Sequence, residues 1–184
     1  GPALRSFEAK TDTQTGELLL RGPSVMKGYY KRDDLTLEVI DNDGWLHTGD
    51  IAHIDSKTKL IYITGRIKNM IVLSGGKKVF PEEIESVLEQ SPNFAEVCVM
   101  GLKRSFGEKD GCEEIAAVIV PSENYCQQFK NNRKELEATI KNEVKYLSNR
   151  LAPYKRPINI IVRQENLPRT TTRKLKRTEI KKIL

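Results

Sequence analysis

The sequence predicts an α+β fold on three observations. Residues 15–64 alternate short apolar runs with turn chemistry, the pattern of short strands joined by hairpins. Residues 96–102 and 114–120 are apolar runs of strand length. Leu136, Ile140, Val144, Leu147 and Leu151 recur at the spacing of one helix face.

In the first segment GELLLRGP, NDGWLHTGD, IAHID and LIYITG mark strands and hairpins. Asp41-Asn42-Asp43-Gly44 is a turn signal because Asn, Asp and Gly tolerate positive φ, so Trp45 starts the next strand. After Gly65 the character changes. Segments 69–73 and 77–80 flank Ser74-Gly75-Gly76 as a hairpin, and Pro81 then opens a short helix. Glu82 and Glu83 complement the positive end of that helix's dipole, and Ile84, Val87 and Leu88 give it an apolar face. Strands follow over 96–102 and 114–120, separated by a loop around Phe106 and Gly107. The long helix is expected to end at Pro153, and a strand over 158–162 leads into a basic tail. There is no internal repeat. The change of pattern at 65–68 sets a boundary between a β-rich part, 1–66, and an α+β part, 67–184.

With 38% hydrophobic and 30% charged residues, the composition is that of a soluble globular chain. At 184 residues it can bury roughly 70% of its unfolded surface. The longest apolar stretches, 115–120 and 158–162, fall far short of the roughly 20 residues of a membrane-spanning helix. Cys98, Cys112 and Cys126 are odd in number and widely spaced, which indicates neither a disulfide framework nor a CxxC site, and a cytoplasmic setting is expected. His47 and His53 lack a metal-ligand spacing and read as structural, so no metal site is expected in this chain. A net charge of +6 suits an anionic partner without choosing between nucleic acid, a membrane surface and a phosphate cofactor.

Four motifs in order carry a resemblance: GELLLRGPSVMKGYY at 16–30, DGWLHTGD at 43–50, GRIKNMIVLSGGKKVFPEEIE at 65–85 and LPRTTTRKLKR at 167–177. Together they resemble the C-terminal portion of AMP-forming acyl-CoA synthetases, within the superfamily that includes peptide-synthetase adenylation domains and luciferases. The resemblance implies the β-rich end of a large N-terminal domain, followed by a small mobile α+β domain with a mostly antiparallel sheet flanked by helices. It also implies ATP or AMP, CoA and Mg2+ as cofactors, with the phosphate loop, metal ligands and acyl pocket upstream of residue 1.

The residue types suit those roles. A carboxylate accepts charge-assisted hydrogen bonds from two neighbouring hydroxyls, so Asp50 is the ribose ligand that the resemblance implies. Read alone, TGD is a turn whose aspartate bonds local amides. Arg66 would be a second nucleotide contact, its planar fork matching ribose or phosphate oxygens, with a surface ion pair as the plain alternative. Lys68 stands at the family's hinge position, where torsional freedom at an element boundary is all that is required. Gly75, Gly76 and Lys77 combine unbulky backbone and positive charge, suiting close approach of a pantetheine arm or a phosphate. Lys174 corresponds to the family's catalytic lysine, a compact mobile cation for charge developing on the α-phosphate of ATP. The plain alternative is a solvated basic tail of Arg169, Arg173, Lys174, Lys176 and Arg177. Arg173 stands where this family commonly has glycine, so an ordinary backbone conformation is expected there.

The function these readings imply is part of an ATP-dependent acyl-CoA ligase for long-chain fatty acids, inactive as this piece alone. The partners would be a nucleotide, CoA and a carboxylic acid, with no nucleic acid and no transmembrane segment, peripheral membrane contact staying open. The alternatives are a ligase that loads a carrier-protein pantetheine and a basic nucleic-acid-binding module. Against the latter, aromatic residues are only 7% and do not interleave with the basic cluster.

Overall fold

A computed structural model describes residues 1–103, 113–129 and 132–184. The loop expected around Phe106 and Gly107, and Cys112, lie outside the described residues. The chain forms two units, Gly1–Asn69 and Met70–Leu184. No helix among the described residues is long and apolar enough to cross a membrane.

The first unit is a four-stranded antiparallel sheet of β1 (Glu8–Thr11), β2 (Glu17–Arg21), β3 (Leu46–Ile54) and β4 (Ile61–Arg66), in that order. Two of its turns are closed in the same way. Asp12 Oδ1 accepts the N–H groups of Gln14 and Thr15 at 3.0 and 2.7 Å, and Asp55 Oδ1 those of Lys57 and Thr58 at 3.0 and 2.7 Å. These amide donors hold both carboxyls below the usual aspartate range. Leu18, Leu19, Trp45, Ile51 and Ala52 form the buried core of the sheet. Lys10 Nζ and the Arg21 guanidinium cover the Trp45 ring at 4.0 and 4.6 Å from its centre. The strand-only reading of 15–64 needs one correction: α1 (Asp33–Val39) intervenes between β2 and β3. None of its residues is buried, so it carries no apolar stripe for the sequence to reveal.

The second unit opens with the expected hairpin, β5 (Ile71–Val72) and β6 (Lys78–Val79), and the expected helix, α2 (Pro81–Leu88). Its main sheet is β7 (Phe94–Lys103), β8 (Glu113–Pro121) and β9 (Asn159–Val162), with β7 and β8 antiparallel and β9 parallel to β8. A parallel return needs a crossover, which α3 (Glu123–Gln128) and α4 (Arg133–Ser148) provide.

Alternation along β7 and β8 explains why both runs are almost wholly apolar. Val97, Val99, Ile115, Ala117 and Ile119 meet Ile84, Leu88, Leu136, Ile140 and Val144 of α2 and α4. The other face presents Cys98, Met100, Val118 and Val120 to Leu167 and Ile180. A strand buried on both sides has no polar face to show. The basic tail is accordingly not a solvated run. It contains α5 (Arg177–Lys182), whose Ile180 is fully buried.

The long helix ends at Ser148 rather than at Pro153. Arg150 N–H and Leu151 N–H bond to the carbonyls of Leu147 and Ser148 at 3.3 and 3.0 Å, so the chain tightens into i→i+3 turns. Leu151 is thereby still buried. Ala152, just before the proline, is extended at φ −55° and ψ 143°.

Candidate functional site

In the first unit Asp50 and Arg66 face each other across β3 and β4, and Arg66 Nε donates to Asp50 Oδ1 at 2.7 Å. Gly49, at φ 71°, turns the strand beside Asp50. That turn is held by a residue the sequence reading passed over. Buried Glu17 accepts the Gly49 N–H on Oε1 at 2.7 Å and contacts His47 Nδ1 through Oε2 at 3.0 Å. Thr48 Oγ1 donates to the Leu18 carbonyl at 2.8 Å and accepts the Asp50 N–H at 3.1 Å. Asp50 is thus fixed from the backbone, with one carboxylate oxygen on Arg66. The ion-pair alternative for Arg66 has a counterpart in this geometry, whereas the local bond of Asp50 is made by its own N–H to Thr48 and not by its carboxylate. Lys68 is exposed in the 3-10 turn Ile67–Asn69 that ends the first unit.

In the second unit Gly75 and Gly76 both have positive φ, 87° and 76°, in the turn between β5 and β6. The turn closes by Gly76 N–H to the Leu73 carbonyl at 3.0 Å and Leu73 N–H to the Lys77 carbonyl at 2.9 Å. A Cβ at either glycine would meet nothing within 4 Å, so the dihedral angle and not crowding calls for glycine here. Lys77 Nζ lies 4.6 Å from the centre of the Tyr154 ring.

Lys174 is exposed near the tip of a second hairpin, as the residue that closes its tight turn. Thr170 N–H bonds the Lys174 carbonyl at 2.8 Å, Arg173 N–H the Thr170 carbonyl at 2.9 Å, and Arg169 pairs with Leu175 as an antiparallel bridge. Both feet of this hairpin are tied to the sheet. Glu96, on β7, accepts Leu167 N–H at 2.6 Å and Arg169 Nε at 2.8 Å. Beyond the tip, Arg177 donates through Nη1 and Nη2 to Glu85 of α2 at 2.6 and 2.8 Å, and through Nη1 to the Val99 carbonyl at 2.7 Å. Glu85 also accepts the Val99 N–H at 2.7 Å. Burial works to lower the affinity of Arg177 for its proton, but the Glu85 carboxylate outweighs it and raises the guanidinium above its ordinary value.

The basic cluster is therefore divided. Arg169 and Arg177 are anchors, Lys176 pairs with Glu179 at 2.9 Å, and the Lys174 ammonium has no hydrogen bond or ion pair among the described residues. Cys98, beside Arg177, has its thiol pushed up to about 11 by burial, which keeps it protonated and unreactive at neutral pH. Among the described residues no group of three or more His, Cys, Asp and Glu side chains is placed to hold a metal ion.

Arg173 corrects an expectation. Its backbone is left-handed, at φ 63°, rather than ordinary. The turn holds that angle with an arginine in place, and the Arg169 guanidinium bonds the Arg173 carbonyl at 2.7 Å. A left-handed L-residue costs about 1–2 kcal/mol, which the extra freedom of an unfolded glycine only partly offsets, so Arg173→Gly is expected to stabilise the protein by roughly 0.5–1 kcal/mol. Urea denaturation measures this, and an unchanged or lower midpoint would show the turn to be unstrained.

The long helix, the glycine turn and the lysine tip lie within or beside the segment that matches a known family. Residues 83–174 match the AMP-binding enzyme C-terminal domain. The indoleacetate–CoA ligase of Aromatoleum aromaticum is 36% identical over 171 residues, covering 92% of this chain and 30% of that protein. The long-chain-fatty-acid–CoA ligase FadD13 of Mycobacterium tuberculosis is 38% identical over 166 residues, covering 90% and 29%. Among solved structures, the O-succinylbenzoate coenzyme A synthetase MenE of Bacillus subtilis, in complex with AMP, superimposes with a TM-score of 0.75 at 30% identity, over 98% of this chain and 34% of that one. The chain thus spans about three tenths of the length of the curated relatives it matches. With half of its 184 residues matched by the family model and its fold shared with MenE, the chain belongs to the AMP-binding enzyme C-terminal domain family.

Proposed function

We propose that this chain, in a protein of its relatives' full length, completes an ATP-dependent acid–CoA ligase. In that reaction a carboxylate attacks the α-phosphorus of ATP, releasing pyrophosphate, and the CoA thiol then displaces AMP to leave a thioester. The observation that carries this reading is the Lys174 ammonium, held out on a hairpin with both feet anchored and engaged by no carboxylate among the described residues. A cation so held can meet charge that develops on phosphate without first breaking a bond of its own.

The other residues fit subordinate roles. Asp50 offers a diol a carboxylate already oriented by Arg66, Thr48 and Glu17. The Gly75–Gly76 turn is open enough for a thiol arm to pass, with Lys77 beside it for phosphate. Lys68 supplies the torsional freedom by which the second unit changes its orientation between the two half-reactions. Mg2+ would neutralise phosphate charge, on ligands that this chain is not proposed to supply. The chain by itself is expected to be inactive, since positioning alone accounts for about 7–11 kcal/mol of such a barrier.

For the acid we propose a long-chain fatty acid, a reading supported by the 38% identity to FadD13. An aromatic acid is the second reading, favoured by the 36% identity to the indoleacetate ligase. Acid-dependent exchange of pyrophosphate into ATP by the full-length protein, run over fatty and aryl acids, tests both. Offering CoA and a pantetheinylated carrier protein in parallel identifies the acceptor. Absence of exchange with every acid would end the proposal.

The same assay checks Asp50. A hydrogen bond to a charged group contributes about 1.5–3 kcal/mol, so Asp50→Ala is expected to raise the KM for ATP roughly ten- to hundred-fold. An unaltered KM would return Asp50 to a purely structural part in the β3 turn.

A further inference from the structure

The left-handed Arg173 and Lys174, whose ammonium is unpaired among the described residues, are consecutive, and the conformation of one fixes the direction of the other. If Arg173 relaxed to negative φ, the peptide leading into Lys174 would rotate and carry the ammonium away with it. Within the turn Arg173 N–H bonds the Thr170 carbonyl at 2.9 Å and Lys174 N–H the Thr170 hydroxyl at 3.1 Å, neutral bonds for which water can compete. The turn is exposed, and its Thr170 and Thr172 hydroxyls bond one another at 2.9 Å.

Among the described residues, the one charged group that reaches the Arg173 carbonyl comes from across the hairpin. Arg169 spends its Nε on Glu96 at 2.8 Å and its Nη1 on the Arg173 carbonyl at 2.7 Å. Glu96 in turn is largely buried, on β7 at the edge of the second core, and takes the Leu167 N–H as well. We infer that Arg169, seated on Glu96, is the positioning residue that keeps Arg173 left-handed and so aims Lys174. The inference rests on the role proposed for Lys174. It explains how a turn that favours glycine functions with arginine in that place: a guanidinium shared between sheet and turn replaces the conformational freedom of glycine with a clamp.

The test uses half-reactions of the full-length protein. Arg169→Met is expected to lower kcat for pyrophosphate exchange about ten- to a hundred-fold, as a displacement of about 1 Å does, with thioester formation from supplied acyl adenylate within about two-fold of the parent. Arg169→Lys retains a charge for Glu96 but cannot hold Glu96 and the Arg173 carbonyl in one rigid plane. It is expected to show the same loss at an unchanged melting temperature, which separates aim from folding. In the Arg173→Gly background, where left-handed φ is open to the residue itself, the loss caused by Arg169→Met should shrink to a few-fold.

Equal decline of both half-reactions in the two single variants, undiminished exchange, or no relief from glycine would each overturn the inference. Lys174→Ala run alongside keeps the two levels apart. If that variant exchanges pyrophosphate normally, the role given to Lys174 fails. If it loses exchange while the Arg169 variants do not, only the clamp fails.

Discussion

Lys174→Ala, in a protein of the relatives' full length, is expected to lower acid-dependent pyrophosphate exchange about a hundred- to a thousand-fold, a loss of roughly 2.7–4 kcal/mol of transition-state stabilisation. Thioester formation from supplied acyl adenylate should persist, because bonds are made and broken in that step at the acyl carbon and not at phosphorus. Stability should be nearly untouched, since the side chain is exposed and unengaged among the described residues. The three expectations together are sharper than any one of them. A general loss of fold would remove both half-reactions, and a solvated lysine would remove neither. Single-turnover measurement of each half-reaction therefore decides the matter, and equal loss in both would refute the assignment.

The second large effect concerns stability. Arg177→Met leaves Glu85 buried beside an unmatched Val99 carbonyl, and breaking a buried pair in this way costs about 3–5 kcal/mol. At about 4 °C per kcal/mol for a unit of this size, the melting transition should fall by roughly 12–20 °C. The double variant Arg177→Met with Glu85→Gln removes the stranded charge while the amide oxygen still accepts the Val99 N–H. It should recover about half of the loss, because the desolvation of an unpaired charge, and not the absent attraction, dominates the single variant. Calorimetry of the single and double variants measures the cycle. Additive losses would mean that the two side chains do not act as a pair.

Much of the fold was legible in the sequence, and the illegible parts share a cause. The strands β7 and β8, the helix α2 and the body of α4 announce themselves through apolar runs or helical spacing, because each buries a continuous face. The helix α1 buries nothing, and α5 buries Ile180 inside a run of basic residues, so neither leaves a periodic trace. At the candidate site, Asp50, Gly75, Gly76 and Lys174 were named through the motifs that resemble the family. Their supports were not. Glu17 lies 32 residues from the Gly49 amide it holds, Glu96 lies 73 from Arg169, and Glu85 lies 92 from Arg177. A carboxylate gives no sign in sequence of a partner so distant, which is why the basic stretch read as one tail when it is two anchors flanking a tip.

The clasp between Glu85 and Arg177 also bears on the order in which this unit assembles. Closing a loop of 92 residues costs more entropy than zipping β7 to β8 or winding α4, and such contacts reward the chain only when the rest is in place. The segment bearing the lysine tip is thus expected to dock late and to detach early. Weakening the clasp should then quicken unfolding while leaving the rate of folding nearly constant, so that what it governs is how long the completed lobe survives rather than how fast it forms.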